Sequence, residues 1–158
     1  MFADIKSPFG RIIIEERAGA IARVYLPNQT PDNYVEDDSH LIISRDPPIL
    51  ERACEQFEQY FNGTRRAFEL PLDFGVCTDF MKRVYRELMR VPYGETVSYK
   101  YIAERIGSPK AYRAVGFANN KNSLAIIVPC HRIVGADGSL VGYAGGLELK
   151  AQLLKLER

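Results

Sequence analysis

The pattern of this chain changes character near residues 72–78, which places a junction between two modules there. Residues 11–17 and 20–26 read as two strands joined at Ala18-Gly19, a hairpin. Residues 28–40 are polar and acidic, with Pro31 and Asp37-Asp38, and read as a loop that leaves His40 at the surface. Pro47-Pro48 opens a helix on which Leu50, Cys54, Phe57 and Phe61 recur at helical spacing up to Gly63. Cys54 is then a core residue of that helix. Residues 66–70 read as another short strand, ended by Pro71.

Beyond the junction the strands give way to short helices. Thr78 or Asp79 caps a helix carrying Phe80, Val84 and Leu88, which Pro92-Tyr93-Gly94 terminates. Ser98 caps a second helix with Tyr99, Ile102, Ala103 and Ile106 on its apolar face, broken by Gly107. Ser108 caps a third with Pro109 in its first turn and Ala111, Ala114, Val115 and Ala118 facing inward. Its opposite face carries Lys110, Arg113, Phe117 and Asn120. Two short helices around a glycine-containing turn make a helix-turn-helix pattern, and equally an ordinary helical hairpin with a solvated basic edge. A turn at Ala136-Asp137-Gly138 and the Tyr143-Ala144-Gly145-Gly146 stretch precede a last helix from about Leu147. The expected fold class is an α/β N-terminal domain (a small antiparallel sheet plus a helix, residues 1–74). A mostly α C-terminal domain with a helix-turn-helix follows, residues 75–158.

Charge divides the same way. Residues 1–80 hold 8 Lys/Arg against 14 Asp/Glu, and residues 81–158 hold 13 against 6, so a net charge of +1 conceals −6 and +7. A basic C-terminal half is suited to a polyanion, although many solvated surfaces are also basic. No apolar run reaches membrane-spanning length and no secretory leader pattern is present, so a cytoplasmic protein, nuclear in a eukaryote, with no membrane partner is expected. The scattered Cys54, Cys77 and Cys130 suggest neither a disulfide framework nor, with His40 and His131, a metal site.

Chemistry concentrates in Val128-Pro129-Cys130-His131-Arg132-Ile133-Val134. The apolar run 124–128 reads as a buried strand that Pro129 stops, delivering Cys130 at a strand end. His131 and Arg132 place positive potential beside the sulfur, which favours thiolate. The local sequence leaves a second possibility open, a small apolar thiol in a core. The glycine pair 145–146 suits a plain loop or a backbone that approaches a ligand closely.

These segments, in this order, resemble the O6-alkylguanine-DNA alkyltransferases, the methylated-DNA–protein-cysteine methyltransferase family. The motifs are Thr78-Asp79-Phe80, Val91-Pro92-Tyr93-Gly94-Glu95-Thr96-Val97-Ser98-Tyr99, Arg113-Ala114-Val115-Gly116, Pro129-Cys130-His131-Arg132 and Tyr143-Ala144-Gly145-Gly146-Leu147, with Lys150 and Glu157. Before residue 75 the likeness is looser, clearest at Gln59-Tyr60-Phe61-Asn62-Gly63. The resemblance implies direct-reversal repair of double-stranded DNA containing O6-alkylguanine. A flipped-out base yields its alkyl group irreversibly to Cys130, without a cofactor and once per molecule. It also implies a monomer.

Carried over by motif, His131 activates Cys130 through a water, Glu157 orients His131, Tyr99 protonates the leaving guanine and Asn122 braces the active-site loop. Arg113 fills the gap left by the base, and Lys110, Tyr112, Ala114 and Asn120 share its DNA-facing surface. Tyr143, Ile133, Ala144 and Gly145 line the pocket, with backbone groups around Cys130, Ile133 and Ala144 reading the guanine edge. The residue types fit the task. A saturated carbon calls for a soft anionic nucleophile, and guanine leaves more easily when protonated. The target atom is out of reach inside a duplex. In this family the helix-turn-helix enters the minor groove. The chain departs from the pattern at Ser123, where many members have proline, and at Tyr112, where a small residue is common. Some members carry an N-terminal zinc site, whose ligands are not evident here. Two other classes remain compatible with the residues alone: a non-catalytic lesion-binding protein and a cysteine hydrolase built on Cys130-His131.

Overall fold

Ala18 and Gly19 both adopt positive φ, 51° and 84°, the two-residue turn whose twist matches antiparallel strands. The turn belongs to a three-stranded antiparallel sheet of β1 (Phe2–Ser7), β2 (Gly10–Arg17) and β3 (Ala20–Tyr25), in the order β1-β2-β3. In this computed structural model, which describes residues 1–34 and 48–158, the sheet belongs to the first of two units, Met1–Gly75 and Val76–Arg158. The loop expected over 28–40 is described only to residue 34, and Pro47 and the surface position expected for His40 lie outside the described residues.

The hairpin and the helix stand where the periodicity put them. Helix α1 (Pro48–Phe61) lays Leu50, Ala53, Phe57 and Tyr60, all fully buried, against β1 and β2. Leu50 and Phe57 each contribute roughly 1.5–3 kcal/mol by leaving water. Cys54 sits at the edge of this face, half-buried rather than in the core, and burial with nearby Glu58 pushes its thiol up to about 11.

Residues 66–70 do not form the expected strand. Side chains of α1 satisfy this backbone instead: Glu69 N donates to Gln56 Oε1 at 2.8 Å, and Glu69 O accepts from Arg52 Nη2 at 2.8 Å. The bridge to the sheet falls at Leu72, paired in parallel with Ile21.

The second unit contains α2 (Asp79–Leu88), β4 (Val97–Ser98), α3 (Tyr99–Arg105), α4 (Tyr112–Asn120), β5 (Ile133–Val134) and α5 (Leu147–Leu156). Thr78 caps α2 by accepting from Met81 N, and Ser98 caps α3 by accepting from Tyr101 N. Val84, Leu88, Ile102, Val115, Leu124 and Leu153 form its fully buried core. The expected fold class, a small α/β unit followed by a mostly helical one, is the one observed.

Two expectations in this unit need correction. Ser108 does not cap the helix after it: Ala111 N bonds the Ser108 carbonyl at 2.9 Å, closing a turn through Pro109-Lys110. Helix α4 therefore starts at Tyr112, Lys110 lies in the turn before it, and Ala114, assigned above to the inward face, is exposed. Residues 124–128 are buried as expected but are not a strand. The segment turns on itself, with Val128 N bonding Leu124 O at 2.8 Å and Ile126 at φ 73°. Asn122 spares it a strand partner, donating through Nδ2 to Val128 O and accepting from Leu124 N, each at 2.9 Å.

Candidate active site

Cys130 opens a single 3₁₀ turn, Cys130–Arg132, directly after this looped segment. The turn feeds β5, which pairs in parallel with β4, so the cysteine is anchored on both sides. Only 4% of Cys130 is exposed, and His131 is wholly enclosed. Burial pushes the Cys130 thiol upward, opposed by a hydrogen bond from Asn122 and by the charge of Lys150. The resting residue is a thiol held beside groups that favour its anion.

His131 and Glu157 meet although 26 residues separate them. His131 Nε2 stands 2.7 Å from Glu157 Oε1. The carboxylate only accepts, so Nε2 carries the imidazole proton and Nδ1 is left with a lone pair. Nδ1 is buried and has no hydrogen-bond partner among the described residues. Burial lowers the His131 pKa, against the pull of Glu157, so the ring is neutral and its Nδ1 is a base.

Burial alone would raise Glu157, but hydrogen bonds from His131 and Arg132 and the charge of Arg132 overcome it and hold the carboxyl at about 2. Arg132 reaches it through Nε at 3.0 Å and Nη2 at 2.9 Å, and spends Nη1 on the Val91 carbonyl at 2.8 Å. The guanidinium that the sequence aims at the sulfur is thus committed to Glu157, and His131 is uncharged. The cation acting on Cys130 is Lys150, which the sequence named only within the family motif. It is fully buried, and its Nζ donates to Val141 O at 2.8 Å.

The Pro92-Tyr93-Gly94 turn explains how a residue next to the chain's last position stays in place. Tyr93 Oη donates to Leu156 O at 3.2 Å. A Cβ on Gly94 would stand 2.9 Å from the Glu157 carbonyl oxygen, and its φ of 82° also favours glycine. The turn closes over the end of α5 and buries Glu157.

Tyr99 also lies near the cysteine. Its ring packs by Gly116 of α4, its hydroxyl donates to Val141 O at 3.3 Å, and burial together with Cys130 raises its pKa. Val141 O therefore accepts from both Tyr99 and Lys150, tying the 141–146 stretch to the site. Within or beside that stretch Tyr143 and Gly145 are half-buried, Ala144 is exposed and Ile133 is fully buried. Asn120 approaches Gly142.

Arg113, Tyr112, Ala114 and Asn120 are exposed on α4, and Lys110 is exposed in the turn before it. Among the residues named from the sequence, Cys130, His131, Glu157, Asn122 and Tyr99 converge, whereas the α4 group faces solvent. The sequence named Lys150 only as part of a family motif, without a role, and gave no sign that Arg132 holds Glu157 instead of facing the sulfur.

Two family models match the chain. Residues 2–74 match "6-O-methylguanine DNA methyltransferase, ribonuclease-like domain", and residues 79–158 match "6-O-methylguanine DNA methyltransferase, DNA binding domain". The constitutive methylated-DNA–protein-cysteine methyltransferase of Bacillus subtilis is 42% identical over 99% of this chain and 94% of the relative. The Methanosarcina barkeri protein of the same name is 56% identical over 69% of this chain and 68% of the relative. The Mycobacterium tuberculosis OGT solved in complex with DNA superposes with a TM-score of 0.84 at 40% identity, covering 99% of this chain and 91% of that one. Among the described residues no helix is long and apolar enough to cross a membrane.

Proposed function

The chain belongs to the 6-O-methylguanine DNA methyltransferase family, and from that premise we propose that it repairs O6-alkylguanine in double-stranded DNA by moving the alkyl group onto Cys130. The observation that carries this reading is the 2.7 Å contact between His131 Nε2 and Glu157. It fixes the imidazole with Nδ1 as its free base on the residue next to the sulfur.

The chemistry follows from these groups. His131 Nδ1 takes the Cys130 proton, relayed by a water. Lys150 and Asn122 favour the thiolate that results. The sulfur attacks the alkyl carbon, a C–S bond forms, the C–O6 bond breaks and its electron pair goes to guanine. Tyr99, kept protonated by its raised pKa, gives the leaving guanine a proton and regains one from solvent. Glu157 stabilises the imidazolium and Arg132 keeps that carboxylate ionised. The thiolate of the thioether is too poor a leaving group for water to displace from an alkyl carbon, so each molecule acts once. No cofactor takes part in these steps.

Arg113 would fill the space of the flipped base. Lys110, Tyr112, Ala114 and Asn120 would touch the duplex around it. Tyr143, Ile133, Ala144 and Gly145 would line the base pocket. Residues 1–74 and 75–158 would act as separate domains, with the second carrying the reaction as a monomer on DNA.

The test is peptide mapping by mass spectrometry after mixing with a duplex containing O6-methylguanine. The expected result is one methyl group, confined to the peptide of Cys130. A methyl group on Cys54 or Cys77, or none, would overturn the assignment.

A further inference from the structure

Helix α4 exposes more aromatic surface than a solvated helix needs. Phe117 is 59% exposed and Tyr112 47% exposed, on a helix of nine residues that has no acidic side chain. Phe117 follows Arg113 by four residues, so the two side chains are neighbours on one face. The ammonium of Lys121, just past the helix, stands 5.5 Å from the Phe117 ring centroid. An apolar ring flanked by two cations and left in water is a surface lacking its complement. The sugar edges and base faces of a duplex, bordered by phosphates, supply one.

We propose that Phe117 is a second, apolar wedge on the DNA interface, one helical turn beyond Arg113, with Lys121 held over its ring to meet the adjoining phosphate. The inference rests on the function proposed above and deepens it, because it names a residue that prepares the duplex for flipping without touching the reacting atoms. Apolar side chains pushed between base steps unstack them and kink the duplex. The i, i+4 spacing sets the Cβ atoms of Arg113 and Phe117 about 6 Å apart. That distance reaches a base step beside the flipped nucleotide. Phe117 is uncharged, so its contribution is independent of salt, whereas that of Lys121 is not.

The test compares Phe117→Ala, Phe117→Leu and Lys121→Gln with the unaltered protein. Substrates are a lesion-containing duplex, with 2-aminopurine beside the lesion, and free O6-benzylguanine. Phe117→Ala is expected to slow duplex repair about tenfold, the scale of losing one aromatic–base contact. It should diminish the rise in 2-aminopurine fluorescence and leave both the benzylguanine rate and the salt slope of binding unchanged. Phe117→Leu should recover most of the loss, and Lys121→Gln should reduce the salt slope by about one. Wild-type repair and fluorescence in Phe117→Ala would overturn the wedge. So would an equal loss on benzylguanine, which would place the ring's role in the pocket. If the unaltered protein takes no alkyl group from either substrate, the proposed function fails. The wedge is then still decided by fluorescence and affinity on undamaged duplex.

Discussion

His131 Nε2 lies 2.7 Å from Glu157 Oε1, and that same oxygen accepts from Arg132 Nη2 at 2.9 Å. One buried carboxylate therefore serves both the proposed base, His131, and a guanidinium. Glu157→Gln keeps the shape and removes the charge. Arg132 is then a buried cation without its partner, a change that costs about 3–5 kcal/mol. His131 loses the group that stabilises its protonated form. Alkyl uptake should fall about a hundredfold, the scale of a general base. Stopped-time label transfer together with thermal melts checks both. Unchanged uptake in a folded variant would remove Glu157 from the mechanism.

Acid should unfold this protein in two stages. The His131 pKa is depressed below its ordinary 6.5, so the unfolded chain binds the extra proton first and stability declines as pH falls below 6.5. The Glu157 carboxyl sits at about 2 against an ordinary 4.5, so its contribution is complete above 4.5 and is lost between 4.5 and about 2. Denaturant titrations at stepped pH measure this. In Glu157→Gln the lower stage should disappear, and a profile that is flat from 7 to 3 would contradict both shifts.

Lys150→Met fills the same buried space without the charge that opposes burial at Cys130. The thiol should ionise at higher pH than in the unaltered protein. The alkaline rise in its reaction with O6-benzylguanine should shift upward accordingly. An unmoved pH–rate profile would mean that the lysine acts only through its bond to Val141 O.

Alkylation should loosen the fold. Cys130 is 4% exposed, and extra carbons in a packed site cost roughly 1–3 kcal/mol. For a chain of this size the midpoint of thermal unfolding should drop by about 2–4 °C or more per kcal/mol. Benzyl should cost more than methyl. A raised or unchanged midpoint after benzylation, read by differential scanning calorimetry, would show that the site has room to spare.

The parts legible in the sequence are those whose signal is local. Ala18-Gly19 marks a hairpin because few residues tolerate its positive φ, and Thr78 and Ser98 mark helix starts because their hydroxyls accept from the first turn. Leu50, Phe57 and Phe61 repeat at a helix's own period. Residues 124–128 failed as a strand because an apolar run reports burial and says nothing of backbone direction. There the deciding group is Asn122, whose side chain replaces a strand partner. Ser108 failed as a cap because Pro109 also suits a β-turn, and the turn won. Glu157 lies next to the last residue of the sequence, and only the motif likeness singled it out. Its burial depends on Val91, Tyr93 and Gly94, more than sixty residues earlier. Arg132 carried the opposite error: adjacency to Cys130 suggested that its charge reaches the sulfur, while the fold turns it toward Glu157.

The central claim is that Cys130 accepts the alkyl group once and is spent. The most direct measurement titrates increasing protein into a fixed amount of duplex carrying O6-methylguanine and counts restored guanines at completion. Repair should rise in proportion to protein, stop at one guanine per molecule and vanish with Cys130→Ser, which should still bind the duplex. Repair that continues past one guanine per molecule, or persists in Cys130→Ser, would contradict the account.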